Sequence, residues 1–393
     1  MCKDMSQESI RNGGGRMRTL LTGNYAVAEA VKLSRAKVIA AYPITPQTTI
    51  VEKLAEMVEK GELDAEFIRV ESEHSALAAV YGAAAAGLRT FTATSSHGLL
   101  YLYEMVWWVA NARLPLVMAV VTRTIGPPWN IHTDHTDLLT MRDSGWIISM
   151  AENVQEAFDL TIQGFRISEE AELPFVVGMD AFQLSHTAEV IDLPSQEDVD
   201  KWLPERKQSY KIEPNNPVTV GSIGPNEYTA KLRYDMAKTI ESSKELIRKA
   251  DESFGKTFGR SYGGLVESYE LDDAEYVVVM AGAWCGDAKD AIDRLRAEGL
   301  PVGMLRLRYF RPFPREELEE LEGRKVLVVD RAFSMGHMGI LGMEVSSVIN
   351  NVTNVIAGIG GVDVGVEDFE AMFRRFAKGE LQRVEWWPKE VFS

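Results

Sequence analysis

The apolar residues of the chain form short continuous runs that alternate with segments of helical periodicity. Residues 37–42 (KVIAAY), 66–70 (EFIRV) and 116–122 (LVMAVVT) are such runs, and each predicts a strand. Residues 75–86 (SALAAVYGAAAA) predict a helix of mostly small side chains. Continuously apolar strands that alternate with helices indicate a parallel sheet covered on both faces. The pattern therefore predicts a doubly wound α/β fold.

A change of composition in the middle of the chain predicts more than one domain. Residues 193–228 contain five prolines among many polar residues, a composition typical of a crossing segment. A charged helix follows, and the alternation of strands and helices resumes near Ala274 before an irregular, Trp-bearing tail. We predict a first α/β domain over residues 17–228, a helical connector over 229–270 and a second α/β domain over 271–393.

The charge balance argues against two classes of partner. Lys and Arg number 42 and Asp and Glu 58, a formal net charge of −16, so we expect neither nucleic acid nor an anionic membrane as a partner. The most apolar segment, residues 98–122, contains Glu104 and Arg113 and is divided by Pro115. We expect a buried helix and strand there rather than a membrane span.

The two cysteines, Cys2 and Cys285, bear on the compartment and on the cofactors. With so few thiols and no C-x-x-C pattern we expect no disulfide framework, and we predict a cytoplasmic protein. An iron–sulfur cluster typically needs about four thiolate ligands, so the chain is not expected to hold one alone. Residues 13–15 (GGG) predict a flexible leader without a signal-peptide core, and Met17 is an alternative start.

Polar residues and prolines follow four of the predicted strands at their carboxyl ends, where open α/β sheets bind ligands. The four segments are residues 42–46 (YPITP), residues 71–74 (ESEH), residues 95–98 (SSHG) and Arg123. A functional interpretation gives Thr45 a hydroxyl at a rigid turn, Glu73 a carboxylate at the sheet edge and Arg123 a forked donor for a carboxylate. The structural alternatives are a strand-ending turn, a helix cap, a packed histidine and an ion pair.

Other motifs limit the chemistry further. Between His132 and Asp137 the chain reads HTDHTD, but this spacing fits no common zinc or iron site, so a polar loop is favoured over a metal site. No G-x-x-x-x-G-K-S/T loop occurs and no G-x-G-x-x-G follows a strand, which disfavours P-loop enzymes and dinucleotide dehydrogenases. The sequence also has no GDG followed by an Asn-rich end, the element that binds magnesium and diphosphate in thiamine enzymes.

Several of these motifs together resemble one enzyme family. The run from YPITP through ESEHSA to TATSSHGLL resembles the α subunit of pyruvate:ferredoxin oxidoreductase and its 2-oxoacid relatives. RLPLVMAVVTR, RDSGWI, FRPFP (residues 310–314) and AGIGG (residues 357–361) extend the resemblance into the second predicted domain. The resemblance implies a pyrimidine-binding domain of the thiamine diphosphate fold, followed by a domain like the C-terminal domain of transketolase.

The same resemblance implies an activity and a set of partners. The family carries out coenzyme A-dependent oxidative decarboxylation of a 2-oxo acid and passes electrons to ferredoxin. The diphosphate of thiamine diphosphate, its magnesium ion and the iron–sulfur clusters are then expected on partner subunits of the β, γ and δ types. This expectation agrees with the missing GDG motif and the two cysteines.

The resemblance also assigns roles to individual residues. Glu73 corresponds to the glutamate that hydrogen-bonds the aminopyrimidine ring and assists as a general base. Thr45 corresponds to the residue that contacts the substrate carboxylate or developing alkoxide, Pro43 lines the ring pocket, and Arg123 holds the substrate. We expect no metal ligand in this chain.

Two departures from the family pattern fall near the implied substrate pocket. His97 stands where pyruvate-type members usually have Gln, and its role is open between a substrate-facing donor and a packed histidine. After the VVTR motif, Ile125 and Trp129 replace residues expected to be mostly small. Pyruvate is the default substrate, and a branched, aromatic or other 2-oxo acid is the alternative. A non-catalytic scaffold and a lipoamide-dependent dehydrogenase β subunit are the other interpretations.

Overall fold

The computed structural model describes residues 10–11 and 17–391, so the predicted glycine leader and Cys2 lie outside the described residues. The strands are β1 (Ile10–Arg11), β2 (Met17–Thr22), β3 (Val38–Ala41), β4 (Glu66–Arg69), β5 (Thr90–Thr94), β6 (Val117–Thr122), β7 (Ile147–Met150), β8 (Phe175–Asp180), β9 (Ala188–Leu193), β10 (Val266–Tyr269), β11 (Tyr276–Met280), β12 (Val302–Leu307), β13 (Tyr309–Arg311), β14 (Lys325–Asp330), β15 (Val352–Ala357) and β16 (Val384–Trp387). The helices are α1 (Gly23–Leu33), α2 (Thr48–Glu59), α3 (Glu73–Ala85), α4 (Ser96–Tyr101), α5 (Tyr103–Asn111), α6 (Thr136–Leu139), α7 (Val154–Ala171), α8 (Gln196–Trp202), α9 (Asn226–Phe258), α10 (Cys285–Ala297), α11 (Arg315–Glu319), α12 (Ile340–Ser346) and α13 (Val366–Ala377).

The first large sheet has seven strands in the order β13-β7-β8-β6-β5-β3-β4. All of its neighbouring pairs are parallel except β13 with β7. Strands β5, β6, β7 and β8 are buried along their whole length, as is typical of strands in a parallel sheet covered on both faces. The parallel α/β fold predicted from the apolar runs is confirmed.

The second large sheet has six strands in the order β10-β12-β11-β14-β15-β16, and only β10 is antiparallel to its neighbour. Its two edge strands correct the sequence prediction. Strand β10 lies in the region predicted to be a helical connector, and β16 lies in the tail predicted to be irregular. Each of these strands has four residues and is only partly buried. Neither contains an apolar run that would predict a strand, so its extended conformation depends on pairing with the neighbouring strand.

Strand β13 connects the two sheets. It follows β12 after a single residue, yet it pairs with β7 at the edge of the first sheet. Tyr309 is fully buried, and its ring packs edge-on against Phe175 with centroids 6.0 Å apart. A three-residue strand carries no local signal for the sheet that it joins, so this crossing could not be predicted from the sequence. The limits of the three predicted regions stay a prediction.

A small third sheet and the most apolar segment of the sequence complete the description of the fold. Strands β1, β2 and β9 form a small antiparallel sheet. Residues 98–122 form most of α4, then α5 and β6, so the predicted helix is divided at Leu102 before the predicted strand begins. None of the helices in the described part of the chain combines the length and the apolar character that crossing a bilayer requires.

Candidate active site

Four neighbouring strands deliver the four candidate segments to one edge of the first sheet. The YPITP turn follows β3, Glu73 follows β4, the SSHG turn follows β5, and Arg123 directly follows β6. These strands are adjacent in the order β6-β5-β3-β4 and run parallel. Because the carboxyl ends of parallel strands meet at the same edge, the segments border one crevice.

Glu73 is the first residue of α3, but it is not the residue that caps the helix. The hydroxyl of Ser72 accepts a hydrogen bond from the backbone N–H of Ser75 at 3.2 Å, so Ser72 is the N-cap. Glu73 is 8% exposed, yet its carboxylate forms no hydrogen bond or ion pair with any residue in the described part of the chain. The side chain is therefore largely enclosed while its carboxylate oxygens stay unpaired, so the position suits a donor from outside this chain.

Gly98 keeps a space open beside that carboxylate. A Cβ atom on Gly98 would lie 2.7 Å from Oε1 of Glu73 and 2.7 Å from Oγ1 of Thr94. Both distances are too short for a carbon atom, so the close approach requires glycine at this position. The Thr94 hydroxyl is itself buried and has no hydrogen-bond partner among residues 17–391. A carboxylate and a hydroxyl, both unpaired, therefore lie close to each other behind this turn.

Arg123 is buried and holds two of the other segments. Its Nη1 donates a hydrogen bond to the backbone carbonyl oxygen of Thr45 at 2.6 Å, and its Nη2 lies 3.3 Å from Nδ1 of His97. Its Nε is buried without a partner within the described residues. Burial lowers the pKa of Arg123 from its usual value, and the negative charge of Asp137 opposes that effect. The guanidinium therefore keeps donor capacity for an anion.

His97 has protein groups against both of its ring nitrogens. The backbone N–H of Gly126 donates to Nε2 at 2.9 Å, and the Arg123 guanidinium faces Nδ1. Because both neighbours are donors and a neutral imidazole has one acceptor nitrogen, only one of the two contacts is a hydrogen bond at a time. This arrangement favours the packed histidine over a substrate-facing donor.

Trp129 covers Arg123 and His97 from the outer side. Its ring lies 4.6 Å from the guanidinium carbon of Arg123, and it meets the His97 ring edge-on at 5.6 Å between centroids. Trp129 is 53% exposed and Ile125 is half-buried, while Pro43 and Thr45 are exposed. The residues predicted to line the ring and substrate pocket thus lie on the three segments that follow β3, β5 and β6.

The HTDHTD loop supports the site from behind. Oδ2 of Asp137 accepts hydrogen bonds from the backbone N–H groups of Ser96 and Arg123 at 2.8 and 3.0 Å. Its Oδ1 accepts from the N–H of Leu138 at 2.7 Å. Burial raises the pKa of Asp137 to about 8, while these N–H donors act in the opposite direction. The loop therefore binds backbone groups of two site segments.

Asp180, at the end of β8, joins this loop to the second sheet. Its Oδ1 accepts hydrogen bonds from Thr133 at 2.8 Å and His135 at 2.6 Å and lies 3.3 Å from Nη1 of Arg331. Its Oδ2 accepts from the backbone N–H of Ala283 at 2.6 Å. Burial opposes the ionised form of Asp180, but His135 and Arg331 outweigh that effect and lower its pKa below the usual range. Across residues 17–391, no group of three or more His, Cys, Asp and Glu could hold a metal ion.

Comparison with known families agrees with this arrangement. Residues 29–252, more than half of the chain, match the family described as "Pyruvate flavodoxin/ferredoxin oxidoreductase, thiamine diP-bdg". The chain belongs to this family. Residues 274–369 match "Pyruvate:ferredoxin oxidoreductase core domain II". The resemblance inferred from YPITP, ESEHSA and the later motifs is therefore confirmed, and the chain is a member of the 2-oxoacid:ferredoxin oxidoreductases.

Two relatives of this oxidoreductase chain carry the names of different enzymes. It is 43% identical over 385 residues to "Ketoisovalerate oxidoreductase subunit VorA" of Pyrococcus abyssi, covering 94% of this chain and 98% of that protein. It is 45% identical over 377 residues to "Pyruvate synthase subunit PorA" of Methanocaldococcus jannaschii, covering 93% of this chain and 97% of that protein. The two identities are too similar to favour one of the two named substrates.

Solved structures support the fold of the oxidoreductase chain. A 2-oxoglutarate:ferredoxin oxidoreductase from Magnetococcus marinus matches with a TM-score of 0.71 at 20% identity, covering 92% of this chain and 65% of that chain. A split-gene transketolase matches with a TM-score of 0.52 at 13% identity, covering 91% of this chain and 98% of that chain. At these identities the likeness shows the fold alone, and it confirms the predicted fold class.

Three residues with clear contacts at this site were not identified from the sequence as contributors. Thr94 is an ordinary strand residue in the sequence, and Asp180 follows a strand with nothing to distinguish it. Asp137 was noticed only as part of a possible metal cluster. The one signal in the sequence was the position of Asp180 at the carboxyl end of the apolar strand β8, because open α/β sheets bind ligands at such ends.

Proposed function

We propose that this subunit supplies the pyrimidine-binding half of a thiamine diphosphate site whose diphosphate-binding half lies on a partner subunit. The assembled enzyme converts a 2-oxo acid and coenzyme A into carbon dioxide and an acyl-coenzyme A, and it releases two electrons, which ferredoxin accepts singly. The observation that carries the proposal is the unpaired carboxylate of Glu73, a largely buried residue that has no hydrogen-bond or ion-pair partner in the described part of the chain.

The surroundings of Glu73 fit the pyrimidine ring of the cofactor. When bound, thiamine diphosphate supplies the nucleophilic carbon and the electron sink for decarboxylation. Glu73 supplies the missing acceptor for a ring nitrogen and holds the proton there as a general acid–base. Gly98 leaves the room that this contact needs, because a side chain at position 98 would collide with the carboxylate.

Arg123 and Thr45 bind the substrate at the neighbouring strand ends. The Arg123 guanidinium, fixed through Nη1 and covered by Trp129, holds the carboxylate of the 2-oxo acid with its remaining donors. The Thr45 hydroxyl contacts that carboxylate or the oxygen of the reacting carbonyl, and Pro43 forms a wall of the ring pocket. Both residues are exposed at the rim, where a substrate has access.

His97, Ile125 and Trp129 shape the space for the substrate side chain. Trp129 and Ile125 are larger than the small residues expected there, so the pocket has a distinct shape. Pyruvate is the default substrate, and a branched-chain 2-oxo acid is the second candidate, because relatives named for each are similarly close to this chain.

The remaining cofactors lie on partner subunits under this proposal. Magnesium binds with the diphosphate on a β-type subunit, and iron–sulfur clusters on β-, γ- or δ-type subunits pass the electrons to ferredoxin. The buried thiol of Cys285 offers no cluster site, since burial raises its pKa well above the usual value and disfavours the thiolate ligand. A cytoplasmic location suits this redox chemistry.

The test is anaerobic purification of the native complex followed by an assay of coenzyme A-dependent dye reduction across a panel of 2-oxo acids. We expect bound thiamine and iron and turnover of pyruvate or 2-oxoisovalerate. Bound thiamine and iron without turnover of either substrate would point to another 2-oxo acid in the panel. Absence of both cofactors and of any turnover would contradict the proposal and favour a scaffold.

A further inference from the structure

One buried carboxylate joins two separate segments of the site. Asp137 is 0% exposed, and its Oδ2 accepts the backbone N–H of Ser96 at 2.8 Å and of Arg123 at 3.0 Å. Ser96 follows β5 and Arg123 follows β6. A single oxygen atom therefore fixes the spacing between the ends of two neighbouring strands, at the point where both enter the active site.

The turn that begins at Ser96 needs this support. Its φ of +47° lies in a region that residues with side chains rarely adopt, so surrounding contacts must hold it. The two residues that follow are His97, which lies against Arg123, and Gly98, which leaves room for the carboxylate of Glu73. A shift of this turn would therefore disturb both the substrate-binding and the cofactor-binding side chains.

Local stabilisation of its own helix does not account for the contacts of Asp137. Only the N–H of Leu138 belongs to α6, the short helix on which Asp137 lies. The other two donors are 41 and 14 residues away along the chain. A residue that served only to begin a four-residue helix would not need them.

We propose that Asp137 is a positioning residue, whose Oδ2 sets the distance between Arg123 and the turn that borders Glu73. It touches neither the substrate nor the cofactor. Its effect on catalysis rests on the proposed function of Arg123 and Glu73, whereas its effect on the backbone does not. The two halves of the proposal can therefore be tested separately.

Hydrogen exchange of the complete complex tests the effect on the backbone. In Asp137→Ala the N–H groups of Ser96 and Arg123 lose their acceptor, so we expect their exchange to become at least about tenfold faster. Asp137→Asn can keep its amide oxygen on these two donors, but its NH₂ then faces the N–H of Leu138, donor against donor, so we expect the exchange of both amides to lie between that of Asp137→Ala and that of wild type. Thr140→Ala is the matched control, because it removes only the hydroxyl that donates to the backbone carbonyl oxygen of Asp137 at 2.7 Å.

Steady-state kinetics of the same variants test the effect on the site. We expect Asp137→Ala to raise KM for the 2-oxo acid and to lower kcat, each by about tenfold or more, because a misplacement of about 1 Å can cost on the order of 100-fold. Asp137→Asn should give values of both constants between those of Asp137→Ala and wild type, since it keeps the shared oxygen but loses the acceptor for the N–H of Leu138. Thr140→Ala should leave both close to wild type.

Three results would overturn the proposal or part of it. Unchanged exchange at Ser96 and Arg123 in Asp137→Ala would remove its structural basis. Kinetic constants of Asp137→Ala equal to those of Thr140→Ala would leave Asp137 a purely structural residue. If Glu73→Gln kept full activity while Asp137→Ala still lost protection at both amides, the proposed function would fail and the backbone link would stand.

Discussion

The guanidinium of Arg123 donates a hydrogen bond from Nη1 to the backbone carbonyl oxygen of Thr45, 2.6 Å away, although the two residues are 78 positions apart. The contact joins the ends of β6 and β3, which are separated in the sheet by β5. It aligns the proposed substrate-binding guanidinium with the turn that carries the proposed substrate-binding hydroxyl. The YPITP turn and Arg123, which the sequence predicts as two separate candidate segments, are therefore joined by a direct hydrogen bond.

Replacing Arg123 by lysine should weaken substrate binding more than it weakens the chemical step. Lysine keeps the charge but loses the fork that can engage Thr45 and a carboxylate together. We expect KM for the 2-oxo acid to rise by about 10- to 100-fold, measured by steady-state dye reduction. Arg113→Lys, just before the opposite end of β6, is the matched control. An unchanged KM in Arg123→Lys would contradict the assigned role.

Replacing Gly98 by alanine should impair catalysis, whereas the same change on α3 should not. The new Cβ would lie 2.7 Å from the carboxylate of Glu73, so we expect a loss in kcat on the order of 100-fold. Gly82 lies within α3 with open space around its Cα, and alanine there should stabilise the helix by about 0.5–1 kcal/mol. Full activity in Gly98→Ala would show that the space is not used.

Much of the first sheet could be predicted from the sequence because its strands are fully buried. KVIAAY and LVMAVVT are apolar on both faces, and a residue after such a strand lies at the sheet edge whatever the remaining fold. The edge strands β10 and β16 could not be predicted in this way, since a short, half-buried strand depends on its partner.

The site could be predicted where a side chain itself carries the chemistry, and not where it acts through the backbone. Glu73, Thr45 and Arg123 were selected as reactive or charged groups at strand ends. Asp137 binds N–H groups of Ser96 and Arg123, which leave no trace in the sequence, because every residue except proline has an N–H group. Its contribution follows only from the relative position of β5, β6 and the HTDHTD loop.

Removing the ring of Trp129 should change KM and the preference among 2-oxo acids without unfolding the protein. The ring lies over Arg123 at 4.6 Å and is 53% exposed, so little core packing is lost. Loss of a cation–π contact of about 1 kcal/mol should raise KM by about three- to tenfold in Trp129→Ala, with better relative use of bulky 2-oxo acids. Trp129→Phe keeps a ring and should lie between the two. A substrate profile identical to wild type in Trp129→Ala would contradict this.

The ion pairs of Glu156 should make the folding stability of the protein depend on pH in the acid range. Its buried carboxylate binds Arg306 at 2.8 Å and Arg308 at 2.6 Å. Burial opposes its ionised form, but the two guanidinium groups outweigh that effect and lower the pKa of Glu156 to about 2. Because the pKa in the folded state is below that of the unfolded chain, this stabilisation is complete above pH ~4.5. It is lost as the pH falls toward ~2.

The corresponding variant is Glu156→Gln. At pH 7 we expect it to lower the free energy of unfolding by about 3–5 kcal/mol, because two buried guanidinium groups lose their shared anion. Its difference from wild type should shrink as the pH falls from ~4.5 toward ~2. Denaturant titrations over this range measure both effects. Glu252→Gln, on the exposed face of α9, is the control, and a pH-independent difference for Glu156→Gln would contradict the account.

The most direct test of the proposed function compares Glu73→Gln with Glu71→Gln in the assembled complex. Glu71 lies in the same motif, but it is exposed and its carboxylate already accepts a hydrogen bond from Ser75. If Glu73 is the general acid–base for the cofactor, Glu73→Gln should assemble and melt like wild type but lose at least about 100-fold in kcat. Glu71→Gln should retain activity close to wild type. A Glu73→Gln complex with the kcat of the wild-type enzyme would contradict the central claim.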